Sequence, residues 1–274
     1  PKPNIIIAIG GGSVLDSSKA ISLGWQSITI KDLLYNKKKI PPSKIHLISL
    51  PTTAGTGSEL SFGAILSDKE NRFKNGIRSP LISSDVVIID RDLYLNASRR
   101  IKSESGFDCL SHAIETYLSK KSSTFIKMRS VSCISQIFSC LENAVDGDKS
   151  SMESIAISSS MMGVNLAYST TCLPHRMQYI LGPYTNSKHA EGIISLYKGW
   201  IRQIMPFPEF QELALALGLS STQLAKKINS LKDSLKINYS LKHFNVDEKL
   251  INFMTQRVSG TLDLDPCYKS KDTI

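Results

Sequence analysis

The sequence predicts an α/β region followed by a mostly helical one, and two observations carry that prediction. Before Asn96, short β-branched runs alternate with glycine-rich turns and a single helical pattern, the mark of strands and helices in succession. From Asp108 onward, apolar residues recur at helical spacing, as in Leu110, Ala113, Ile114, Tyr117 and Leu118, then Val131, Ile134, Phe138, Leu141 and Val145. A chain of 274 residues with 41% hydrophobic and 21% charged side chains has room for one large or two ordinary domains with a sizeable core.

Taken in order, Ile5 to Ile9 form the first predicted strand, and a helix opens at Asp16 and runs to Leu23. Lys37, Lys38 and Lys39 followed by Pro41 and Pro42 predict an exposed loop, because adjacent ammonium groups repel and proline lacks the N–H a sheet needs. Ile45 to Leu50, Phe62 to Leu66 and Asp85 to Asp90 read as further strands. In the helical half, Gly147 marks a turn. Ser220 with Gln223 predicts a capping box, followed by the buried stripe Leu224, Ile228, Leu231 and Leu235. The opposite face carries Lys226, Lys227, Lys232 and Lys236, which reads as a solvated face.

Lys and Arg number 33 against 24 Asp and Glu, so the net charge of +9 favours small anionic partners without specifying one. No apolar run approaches a membrane span, no nucleic-acid motif stands out, and no signal-peptide pattern opens the chain. Five cysteines with no C-x-x-C pair argue against a disulfide framework, and Cys133 and Cys140 are expected as small core residues. The expected location is the cytoplasm.

Two loops bear on function. Gly10 to Gly12, then Ser13 and Asp16, follow the first strand and open a helix. Glycines let the backbone approach a ligand, and helix N–H groups hold phosphate. The loop is neither G-x-G-x-x-G nor a Walker loop. The second loop, Pro51 through Glu59, is dense in hydroxyls and follows another strand. Parallel strands would bring both loops to one carboxyl edge, where α/β sheets bind ligands. Asp108 and His112, one helical turn apart, share a face; with His175 and His189 they make a donor set suited to Fe²⁺ or Zn²⁺. His46 and His243 are expected to lie outside it.

In this order, GGGS-x-x-D-x-x-K at Gly10 to Lys19, PTTAGTGSE at residues 51 to 59 and FDCLSHAIETYLS at residues 107 to 119 resemble the iron-containing (group III) alcohol dehydrogenase family. The likeness extends through SPLISSDVVIID and through VSGTLDLDP, residues 258 to 266. It implies a Rossmann-like α/β nucleotide-binding domain over residues 1–97, incomplete at its N-terminus, then an all-α metal and substrate domain over 98–274, in a dehydroquinate synthase-like architecture. It implies Asp108, His112, His175 and His189 as metal ligands. Gly11, Gly12, Ser13 and Asp16 correspond to the pyrophosphate loop, Thr52, Thr53, Thr56 and Ser58 to the ribose and nicotinamide loop, and Lys74 to a further cofactor contact. The implied reaction is hydride transfer between NAD or NADP and an aldehyde or primary alcohol in a homo-oligomer.

Two departures matter. Where many members carry a histidine one turn after the third ligand, this chain has Tyr179, a candidate proton relay but a poor shuttle with an ordinary pKa near ~10. The likeness also lacks the strands, helices and acidic ribose contact that precede the glycine loop in the family, so the chain reads as a fragment, a mispredicted gene start or a degenerate relative that binds cofactor poorly. LPHRMQYILG and HAEGIISLYKGW resemble the phosphonoacetaldehyde reductase branch, with Arg176 and Lys188 as candidate contacts to a phosphonate. The alternatives are a silent scaffold or a superfold relative such as a glycerol-phosphate dehydrogenase or dehydroquinate synthase.

Overall fold

A computed structural model describes residues 3–23, 29–36, 38–40 and 44–270. The first strand, β1 (Ile5–Gly10), pairs in parallel with β2 (His46–Pro51), from Ile5 opposite His46 to Gly10 opposite Pro51. Between them lie α1 (Gly12–Leu23) and the short α2 (Ile30–Leu34). The hairpin β3 (Gly63–Asp68) and β4 (Phe73–Arg78) forms its own antiparallel sheet, and β5 (Val86–Val87) joins β2 in parallel to give the order β1-β2-β5.

Several expectations are revised here. The helix starts at Gly12, so Gly12 and Ser13 are already in its first turn. The strand expected at Phe62 to Leu66 begins at Gly63 and belongs to the separate hairpin, whose second strand, FKNGIR, has no alternation to betray it. Only Val86 and Val87 of the stretch from Asp85 to Asp90 pair as a strand. Lys38 and Lys39 are exposed outside any element, as expected, while Lys37, Pro41 and Pro42 lie outside the described residues.

After α3 (Arg91–Leu95) the chain is helical: α4 (Arg99–Leu118), α5 (Thr124–Asp146), α6 (Lys149–Tyr168), α7 (Leu173–Thr185), α8 (His189–Ile204), α9 (Pro208–Ala216), α10 (Ser221–Ser234) and α11 (Glu248–Arg257). Ser98 caps α4, accepting from the Ile101 N–H, and α5 ends at Gly147 with φ of 103°. The capping box forms, with Gln223 N donating to Ser220 Oγ at 3.2 Å and Ser220 N to Gln223 Oε1 at 2.8 Å. Its stripe is buried, Lys226, Lys227 and Lys236 are exposed, and Lys232 departs from the expected solvated face by being buried. Cys133 is core and Cys140 half-buried.

These helices share one contiguous apolar cluster, which reaches back to Tyr94 and to Ala54 of the hydroxyl loop. The α/β region holds two smaller clusters. Among the described residues no helix is long and apolar enough to cross a membrane.

Candidate metal centre and cofactor loops

Three helices converge on one point. In α4 the four-residue spacing stacks Asp108 and His112 on one buried face. Pro174 sits in the first turn of α7, where its missing N–H costs nothing, and places His175 beside it. His189 is the first residue of α8. Asp108 Oδ1 lies 4.0 Å from His112 Nε2, 3.6 Å from His175 Nε2 and 3.7 Å from His189 Nε2. One ligand atom from each residue falls within 4.8 Å of all the others.

The outer ring nitrogens explain why the inner ones converge. His112 Nδ1 faces the Gly55 carbonyl at 3.1 Å, His175 Nδ1 faces both Glu115 oxygens at 2.8 and 2.9 Å, and His189 Nδ1 faces Gln178 Oε1 at 2.9 Å. Each acceptor holds the Nδ1 proton and turns Nε2 toward the centre.

Asp108 Oδ1 and His175 Nε2 are buried without a hydrogen-bond partner. Such orphans are costly in a protein interior unless something fills the space between them. Four donors around an ion at ~2.1 Å stand about 3.4 Å apart in a tetrahedron, near the separations found. The residues therefore fit a divalent metal.

The electrostatics agree. Burial pushes Asp108 up, but His112, His189 and His175 outweigh it and hold the carboxyl well below its usual range. Burial lowers His112, and burial with Lys74 lowers His189, keeping both rings neutral. His175 is pushed up to about 9: burial acts to lower it, and Glu115 and Asp108 overcome that. A metal displaces that proton on binding.

The two loops meet as the parallel strands require. Thr52 N donates to the Gly10 carbonyl at 3.0 Å. A Cβ at Gly11 would lie 3.0 Å from Thr53 Oγ1, and one at Gly12 only 2.7 Å from Thr56 Cγ2, so glycine is what lets the loops touch. Ser13 is exposed, while Thr52, Thr53 and Thr56 are half-buried.

Asp16 and Ser58 engage each other. Ser58 Oγ donates to Asp16 Oδ1, and Ile65 N donates to Asp16 Oδ2 at 2.9 Å. Lys19, fully buried, donates to the Ser58 carbonyl, to the Ser61 carbonyl at 3.0 Å and to the Gly63 carbonyl at 2.7 Å. Burial pushes its ammonium down to about 8. This clasp holds α1 to the hydroxyl loop.

The hydroxyl loop also rests on α6, where Ser160 Oγ donates to Glu59 Oε1 at 2.7 Å and the two backbones touch at Gly57. A Cβ on Gly57, whose φ is 59°, would meet Gly163 N at 2.4 Å, and one on Gly163 would meet the Gly57 carbonyl oxygen at 2.2 Å.

Beside the metal cluster lies a cationic corner. Lys74 Nζ donates to Gln178 Oε1 at 2.6 Å, lies 3.4 Å from His189 Nδ1 and sits 5.4 Å from the Tyr179 ring centre. Burial pushes its ammonium down to about 8. Arg176 faces the same ring at 5.7 Å, donates to Thr170 Oγ1 at 2.6 Å and keeps a buried Nε without a partner. Gly260 gives it room, since a Cβ there would stand 3.3 Å from Arg176 Cδ. Burial raises the Tyr179 phenol, which stays protonated at neutral pH. Lys188, the residue before His189, is exposed at the head of α8, and its backbone N–H donates to Glu191 at 2.9 Å. His46 is exposed near Asp85, and His243 bonds Ser240, both away from the site.

Glu115, Gln178 and Lys19 were not singled out by sequence reasoning as functional. Lys19 and Glu115 fall inside motif segments, so a signal existed. Gln178 becomes significant only when α7 and α8 meet.

Residues 1–91 match the family described as iron-containing alcohol dehydrogenase, and residues 102–268 match its C-terminal family. An aldehyde-alcohol dehydrogenase of Streptococcus pneumoniae is 27% identical over 90% of this chain and 32% of its own length. A lactaldehyde reductase of Escherichia coli is 28% identical over 78% of this chain and 57% of its own. The chain thus spans about a third to somewhat over half of these relatives. A sulfoacetaldehyde reductase from Bifidobacterium kashiwanohense, solved with NAD+, superposes with a TM-score of 0.89 at 26% identity, covering 98% of this chain and 74% of that one. An iron-containing alcohol dehydrogenase from Thermococcus thioreducens superposes with a TM-score of 0.89 at 24% identity and shows the same fold, a Rossmann-like domain joined to a helical one. The chain belongs to the iron-containing alcohol dehydrogenase family.

Proposed function

We propose that the protein is an oxidoreductase that transfers a hydride between NAD(P)H and a small aldehyde, with Asp108, His112, His175 and His189 holding a divalent metal, Fe²⁺ before Zn²⁺. The observation that carries this reading is the convergence of three Nε2 atoms on the orphaned Asp108 oxygen, beside the loop whose Gly55 carbonyl orients His112. The chemistry a metal supplies there is Lewis-acid polarisation of a carbonyl oxygen. Gly11, Gly12 and Ser13 receive the pyrophosphate at the start of α1, and Thr52, Thr53 and Thr56 line the nicotinamide side. Asp16 and Ser58 act by shaping the loop, since each is already bonded to the other.

The balanced reaction is an aldehyde plus NAD(P)H plus a proton giving a primary alcohol and NAD(P)+. We assign the substrate an anionic tail, with phosphonoacetaldehyde reduced to 2-hydroxyethylphosphonate as the specific case and sulfoacetaldehyde as the comparison. Support comes from Arg176, whose buried Nε lacks a partner, and from Lys74 beside it at the Tyr179 ring. Lys188 joins as a solvent-side contact, and Tyr179 as the proton donor to the product. A homo-oligomer completes the reading, and five free cysteines favour a reducing compartment such as the cytoplasm.

Metal-loaded protein assayed with NADH and NADPH against phosphonoacetaldehyde, sulfoacetaldehyde and unsubstituted aldehydes tests it. The anionic aldehydes are expected to give kcat/KM at least about tenfold higher, a difference of roughly 1.4 kcal/mol in transition-state binding. Equal rates overturn the anionic substrate. Metal uptake without NADH binding leaves a binding protein in place of an enzyme.

A further inference from the structure

Glu115 stands two helical turns beyond Asp108 on α4 and is fully buried. Its two oxygens lie 2.9 and 2.8 Å from His175 Nδ1, and Oε2 also accepts the Cys172 N–H at 2.8 Å at the head of α7. Among the described residues neither Asp108 nor Glu115 has a Lys or Arg within ion-pair distance; the only ring nitrogens so placed are those of His112, His175 and His189. Two carboxylates buried this way place about two negative charges in a dry interior, and the Lys74 ammonium, 3.4 Å from His189 Nδ1, offsets only part of that cost. The positive end of α7 offsets roughly half a charge.

The three imidazoles differ in one respect. His112 and His189 give their Nδ1 protons to neutral oxygens, Gly55 O and Gln178 Oε1, whereas His175 gives its proton to a carboxylate. A carboxylate acceptor makes the opposite nitrogen the stronger donor. We infer that Glu115 is a charge-supplying residue of the metal centre: through His175 it adds a second negative charge to that of Asp108 and so strengthens the hold of the site on a dication. Glu115 is a positioning residue, since it touches a ligand and not the metal. This inference rests on the metal reading above.

The test uses the full chain, stripped of metal and titrated with Zn²⁺ against a competing chelator, then with Co²⁺ to read its visible bands. Wild type is expected to take up one equivalent. Absence of uptake refutes the metal reading, and this one with it, before any variant is compared. Glu115→Gln keeps the shape but removes the charge and one acceptor. It is expected to raise the Zn²⁺ Kd by about 10- to 100-fold and to shift the Co²⁺ bands. Glu115→Asp keeps the charge at a longer reach and is expected to stay within about tenfold of wild type. An unchanged Kd with superimposable Co²⁺ bands in Glu115→Gln overturns the inference, as does Glu115→Asp binding no better than Glu115→Gln. If Glu115→Gln does not fold, Glu115→Asp decides alone, and a loss beyond about tenfold overturns it.

Discussion

The helical region and the α/β region are built from similar side chains but hold together differently. In the helical region Leu110, Ile114, Ile134, Ile137 and Tyr197 are all fully enclosed within one cluster. In the α/β region the corresponding clusters are small, one of them built on Ala8, Leu15 and Leu47. Strand β1 shows why. Its alternation turns Ile6 and Ala8 inward and leaves Ile5, Ile7 and Ile9 more than half exposed, at 54%, 61% and 55%. Val86, Ile88 and Ile89 of the neighbouring segment are exposed as well. Isoleucine on that face contributes little burial, so the region depends on polar ties, the Lys19 clasp above all. Apolar packing secures the metal ligands, and hydrogen bonding secures the loops beside them.

The largest expected effect comes from cutting the deep core. Leu110→Ala should cost roughly 3–5 kcal/mol in urea denaturation followed by circular dichroism, while Leu47→Ala should cost about 2–3, because a smaller cluster collapses more readily around the gap. Equal costs would erase the distinction between the two regions. Next comes the clasp. Lys19 has its folded-state pKa lowered to about 8, below its ordinary value of 10.5, so the folded chain binds fewer protons than the unfolded chain between those values. Stability therefore rises with pH across that window. Wild type should gain on Lys19→Met between pH 8 and 10.5, and a constant difference between the two curves would show that the buried ammonium carries no such penalty. The smallest effect is expected at the exposed face. Ile7→Ser should change the unfolding free energy by no more than about 0.5 kcal/mol, and a larger loss would mean that this face is covered in solution.

What the sequence revealed follows the range of the interactions. The capping box at Ser220, the stripe from Leu224 to Leu235 and the pairing of Asp108 with His112 are local, set by helical geometry within a few residues. The meeting of the two loops was legible because parallel strands put their carboxyl ends on one edge. Strand β4 was not, since Lys74, Asn75 and Gly76 interrupt its pattern and its partner alone defines it. Gln178 gave no signal because its role requires Lys74 and His189 to approach from distant segments. Lys232 misled for a related reason: helical phase gives the face, and the neighbour that buries it comes from elsewhere.

The contact between Gly57 and Gly163 has a consequence for how this molecule tolerates change. Two main chains touch there with no side chain between them, so their spacing is set by atomic radii and not by any rotamer. Neighbouring side chains can vary in size and be absorbed by small rotations. Either glycine, by contrast, accepts no carbon at all without moving a loop relative to a helix. The loop that would move also carries the Gly55 carbonyl that aims His112. A single methyl group added to a residue that donates nothing to the site would thus arrive at the metal centre as a misdirected ring, which makes these two inert residues hard to replace.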